Sequence, residues 1–169
     1  MNEFTRSLSA PTSIDPENRT FWATVATKAP VQRSDARGAY NEVLDTDQLD
    51  PASLIGLPAL DWHGQGSVNK VLGKVIDARR AADGSIEAQF QISSAEPKVM
   101  AKVAEGIITG TSVGYSVQKW DESTTAGIRT RTARHWSVRE ISLTPSPADS
   151  RAGVPRSGVR ARRNLRRSS

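Results

Sequence analysis

"ITGTSVGYSVQKW", residues 108–120, places Ser112 at the centre of the pattern Gly110-Thr111-Ser112-Val113-Gly114. A Gly-x-Ser-x-Gly match is the form of a nucleophile elbow, in which a strand turns sharply into a helix and presents the serine at the bend. The residues on the C-terminal side of the serine decide against that geometry. Val113, Tyr115 and Val117 alternate with Gly114, Ser116 and Gln118, as in a half-buried strand, and no helical stripe begins. The order Ser112, then Asp121 or Glu122, then His135 imitates an α/β-hydrolase triad. Yet 23 residues from Ser112 to His135 leave no room for separate sheet elements, and the chain lacks repeated strand–helix units. Ser112 is read as lying within a strand.

Working outward, "SAEPKVMAKVAEGI", 94–107, changes period: Val99, Val103 and Ile107 fall four apart, Ser94 suits an N-cap, Pro97 a first turn and Gly106 a stop. This predicts one helix before the serine strand. "RTFWATVATKA", 19–29, "KVLGKVIDARR", 70–80, and "SIEAQFQIS", 85–93, read as strands, the last two joined through the turn-forming Asp83-Gly84. "TRTARHWSVREISLTP", 130–145, makes a further strand beyond the polar turn "DESTTAG", 121–127. Residues 30–66 read as one long irregular loop, which in a small domain points to function. The expected fold class is α+β: a mainly antiparallel, barrel-like sheet with one or a few helices.

The domain plan is a flexible arm over 1–19, one folded domain over 20–153 and a basic disordered tail over 154–169. A chain of 169 residues can bury a core without staples. Cysteine is absent, which excludes disulfides, thiolate metal sites and a cysteine nucleophile. No apolar run approaches the roughly 18 residues of a membrane span, and the start lacks the apolar centre of a signal peptide, so a soluble intracellular protein is expected. The formal charge of +5 sits at the end of the chain, where seven arginines lie from Arg151 onward. Residues 1–150 carry 16 basic and 18 acidic groups, a net of −2. The tail is read as solvated and disordered, with nucleic-acid or acidic-partner contact as the alternative.

A serine nucleophile needs a base beside its hydroxyl, and the two histidines, His63 and His135, are the candidates. His63 ends the apolar run "LIGLPALDW" and opens into "GQGS", as a pocket-edge side chain does. His135 sits mid-strand between Arg134 and Trp136. Lone histidines 72 positions apart have no metal-ligand spacing, so neither metal nor cofactor is expected. In "HWSVREISL", strict alternation puts Trp136, Val138, Glu140 and Ser142 on one face. A carboxylate among apolar neighbours needs a partner, either a histidine N–H or an arginine.

Taken together, these stretches resemble the prohead, or capsid maturation, serine proteases of tailed bacteriophages. "LPALDWHGQGSVNKVLGKV", 57–75, is similar to the family's histidine segment, "VMAKVAEGIITGTSVGYSV", 99–117, to its helix and serine strand, and "HWSVREISLTPSPADSRA", 135–152, to its closing acidic strand. The resemblance spans about residues 20–153 and departs at Gly64, where many members carry an acid. It implies a fold like that of the herpesvirus assembly proteases, with Ser112 as nucleophile, His63 as base and Glu140 as third member. His135 is the alternative third member, since the herpesvirus enzymes use a second histidine. Gly110 and Gly114 flank Ser112 at i−2 and i+2 and would clear its face for a substrate backbone.

The implied activity is endopeptidase cleavage of phage scaffold or major capsid segments, and of the chain itself, inside a procapsid in the bacterial cytoplasm. The resemblance allows a homodimer, and nucleic acid would be contacted only through the arginine tail. The rival readings are a non-enzymatic capsid-associated or nucleic-acid-binding module working through that tail, and an esterase using Ser112 with His135.

Overall fold

The computed structural model describes residues 3–8 and 11–145. Ten strands run in chain order: β1 (Glu3–Leu8), β2 (Thr12–Asp15), β3 (Thr20–Ala26), β4 (Val31–Asp35), β5 (Gly38–Leu44), β6 (Pro58–Asp61), β7 (Val71–Arg80), β8 (Ile86–Ile92), β9 (Gly110–Thr125) and β10 (Ile128–Thr144). Helix α1 (Pro97–Ala104) stands between β8 and β9. The strands form one curled sheet in the order β1-β9-β10-β6-β7-β8-β3-β2, and the β4–β5 hairpin joins it through β5. The architecture is α+β, as the sequence implies.

Alternation builds the core. In β8, Ile86, Ala88, Phe90 and Ile92 are buried while Glu87, Gln89 and Gln91 are half-buried. Phe90 stacks on Phe21 of β3 with ring centroids 5.2 Å apart. Helix α1 adds Met100 and Val103 to the core. It starts after Glu96, which makes no side-chain cap bond, and Ser93 rather than the expected Ser94 accepts from the Ala95 N–H at 3.1 Å. Gly106, at φ +72°, breaks the helix and leaves Ile107 exposed outside it.

Three expectations change. Residues 30–66 hold β4, β5 and β6 and two 3₁₀ turns, which Asp45 and Asp50 cap by accepting from Asp47 N–H and Ala52 N–H. Leu44, Leu49 and Leu54, spaced along this stretch, are all buried. The expected loose arm contributes β1, antiparallel to β9, and β2, antiparallel to β3; pairing at a sheet edge is made by backbone groups and needs no apolar pattern. The polar "DESTTAG" lies mostly within β9, and the turn tightens to Ala126 and Gly127, both at positive φ as a two-residue hairpin turn requires. The closing "PSPADSRA" stretch from Ser146 and the tail lie outside the described residues.

β10 ties the sheet together. It is antiparallel to β9 throughout, parallel to β5 over Thr130–Ala133 and parallel to β6 over Ile141–Leu143. Across the sheet, Gly73 of β7 faces Ile92 of β8 so closely that a Cβ there would fall on the Gln91 carbonyl oxygen and within 2.9 Å of the Ile92 Cα. Both are backbone atoms, so Gly73→Ala must push the two strands apart. The expected cost is about 1–3 kcal/mol, read as a lower urea midpoint with unchanged slope.

Candidate active site

Ser112 lies four residues before the end of the buried part of β9, on the face opposite Val113 and Tyr115. Its cross-strand partner in β10 is Ser142, and Gly114 faces Glu140. Between Val138, which pairs with Tyr115, and Glu140, which pairs with Gly114, β10 contains one extra residue, Arg139. This is a β-bulge, and it inverts the alternation. Before it Trp136 and Val138 enter the core; after it Ile141 and Leu143 do. Strict alternation therefore misplaces Glu140 and Ser142: they share a face with Ser112, not with Trp136 and Val138.

His63 comes from the other side of β10. β6 lies along Ile141–Leu143, ends at Asp61, and is followed by Trp62 and His63, both in left-handed conformation at φ 46° and 58°. Two consecutive non-glycine residues in that region cost on the order of 1–3 kcal/mol each. The turn is closed by Gly64 N–H to the Asp61 carbonyl at 2.9 Å and by Gln65 N–H to the His63 carbonyl at 2.9 Å. At Gly64 a Cβ would meet Lys70 side-chain carbons at 2.7 Å, so the acid common after the histidine in the resembled family has no space here.

The turn throws the imidazole back over β10. His63 Nε2 lies 3.0 Å from Ser112 Oγ, and Nδ1 is hydrogen-bonded to Glu140 Oε1. A carboxylate accepts, so it holds the imidazole hydrogen on Nδ1 and leaves the Nε2 lone pair facing the serine hydroxyl. Glu140 and Ser112 are each 3% exposed, whereas the His63 side chain is 28% exposed. The structure thus brings Ser112, His63 and Glu140 into one hydrogen-bonded line.

A fourth residue completes the cluster. Ser142 accepts the His63 backbone N–H at 2.8 Å and donates to Glu140 Oε2 at 2.9 Å, so one buried hydroxyl fixes both the strained turn and the carboxylate. The sequence signal was the i, i+2 spacing of Glu140 and Ser142, which makes them same-face neighbours.

The flanking glycines act differently from expectation. A Cβ at Gly114 would collide with Glu140 Oε1 and lie 3.1 Å from its Cδ, so the space this glycine clears is filled by the carboxylate, not left for substrate. Gly110 pairs with Thr144 and is buried. His135 is exposed and pairs with Lys119, seven residues along β10 from Ser142, or roughly 20 Å at about 3.3 Å per residue. It takes no part in the cluster, which removes the structural basis for an esterase built on Ser112 and His135.

Beside the cluster opens a cleft of about 390 Å³, lined by Pro58, Leu60, Val68, Val71, Arg139 and Glu140. Trp62, 62% exposed, stands next to His63.

No family model matches the chain, and no curated protein matches it in sequence. Among solved structures, that of the bacteriophage T4 capsid assembly protease, gp21, is similar with a TM-score of 0.53 at 8% sequence identity, over 86% of this chain and 98% of that one. At this identity the likeness is one of fold.

Proposed function

We propose that this chain is a serine endopeptidase of phage procapsid maturation, cleaving scaffold or capsid segments and itself. The observation that carries the reading is the line from Ser112 Oγ through His63 to Glu140, set on a fold like that of a phage capsid assembly protease. Neither would suffice alone, because folds host unrelated chemistries.

In the proposed reaction Ser112 Oγ attacks the scissile carbonyl as its proton passes to His63 Nε2. His63 then protonates the leaving amine, and an acyl-enzyme remains. Water, deprotonated by the same nitrogen, releases the acid. Glu140 orients the ring and stabilises the imidazolium, and backbone N–H groups receive the oxyanion. The cleft beside Glu140 and the exposed Trp62 supply surface for a substrate side chain.

The test is co-expression with the cognate scaffold or capsid protein, wild type against Ser112→Ala, followed by intact mass. Processing that persists in the variant would sink the reading and favour the non-enzymatic module. Ser142 acts as a positioning residue in this scheme. Ser142→Ala leaves the His63 backbone N–H without its acceptor and Glu140 Oε2 without its donor, and kcat/KM is expected to fall roughly 10- to 100-fold. Ser142→Thr, which keeps the hydroxyl, should recover most of the loss, as a peptide assay on both variants would reveal.

A further inference from the structure

The strand order decides from which side Ser112 can be reached. His63 follows β6, and β10 lies between β6 and β9, so the imidazole arrives over β10. A carbonyl attacked by Ser112 Oγ must come from a direction that Nε2 does not occupy. One such direction is the outer edge of β9, and there β1 lies. Glu3–Leu8 runs antiparallel to Thr111–Ser116, with Ser7 opposite Ser112 and Arg6 opposite Val113. Ser112, beside this covered edge, is only 3% exposed.

A strand edge recognises an extended peptide through its ladder of backbone donors and acceptors. We propose that the outer edge of β9, over Thr111–Ser116, is the groove in which the substrate peptide docks as an antiparallel strand, and that β1 is its resident occupant. This rests on the endopeptidase reading of Ser112. The chain's own strand covers the nucleophile, and a substrate enters only as β1 leaves. β1 ends the strand order, with β9 as its one neighbour there, and strands held along one edge are among the first elements to open.

The test uses the full chain and a fluorophosphonate probe, whose phosphorus is attacked by an activated serine with loss of fluoride, so no substrate need be known. In an antiparallel ladder the N–H groups of consecutive residues point to opposite sides. Of Thr5→Pro and Arg6→Pro, one therefore removes a bond to β9 and the other serves as its control. The first should label Ser112 at least about fivefold faster than wild type, the factor expected for one lost hydrogen bond. A synthetic peptide of residues 1–10, added to that variant, should slow labelling again.

Equal rates in wild type and both variants, or no effect of the peptide, would overturn the groove while leaving a labelled Ser112 and the endopeptidase reading intact. No labelling of Ser112 in any form, with no scaffold cleavage, would overturn both. Arg6→Gly, expected to label at an intermediate rate, replaces a proline variant that fails to fold.

Discussion

Ser112→Ala is expected to abolish scaffold processing, lowering kcat/KM on a cleaved peptide on the order of a millionfold. In the proposed reaction the Ser112 hydroxyl is the attacking atom, and it stands 3.0 Å from the imidazole Nε2 that takes its proton. His63→Ala should cost about as much, and the double variant no more than either, because residues acting as one unit lose their effect together. Stability separates this from unfolding. Removing one hydroxyl costs about 1 kcal/mol, a shift of roughly 2–4 °C in Tm at this chain length. Three kinetic measurements and three melting curves check it. A double variant another hundredfold slower than either single would mean that the two side chains work independently.

Glu140→Gln should lower kcat/KM by about ten-thousandfold, through the orientation and tautomer of the ring rather than through its presence. The amide keeps the volume, but its NH₂ can point at Nδ1, which places the imidazole hydrogen on Nε2, where it blocks proton transfer from Ser112. Gly114→Ala should approach the same deficit without touching an ionisable group. The new Cβ would occupy the position of the Glu140 carboxylate, and the acid must leave His63 to relieve the clash. A peptide assay of both variants tests this; wild-type activity in Gly114→Ala would show that the carboxylate's position is dispensable.

How much of this was legible in the sequence depends on what holds each element in place. β3, β8 and α1 bury apolar residues in regular periods, and their patterns are plain in the chain, while β7 shows as an apolar run before a turn-forming Asp83-Gly84. β1 and β4 sit at sheet margins, where backbone pairing suffices, and β6 is only four residues long, too short to show a period. Ser112, His63 and Glu140 were each visible as an unusual residue in its stretch. Their meeting was implied by the family resemblance and not by any residue pattern, since it depends on β6 lying parallel to β10 and on a left-handed turn at Trp62 and His63. The use of Gly114 required knowing that Glu140 faces it from the adjacent strand. Ser142 showed only as a same-face neighbour of Glu140, and its role emerged once the His63 N–H was placed beside it.

The surplus residue at Arg139 has a wider meaning for the history of this chain. β10 reads as two half-messages of opposite parity: apolar residues at even positions, 136 and 138, then at odd ones, 141 and 143, with the acid and serine inheriting the vacated even places. Every second residue of such a strand is committed to the core, and the bulge decides which of the remaining ones share a face with Ser112. A relative whose strand lacked the bulge would fall out of step at that point in a residue-by-residue comparison unless a gap were allowed there. This is one physical way in which a fold can persist while sequence likeness fades below recognition.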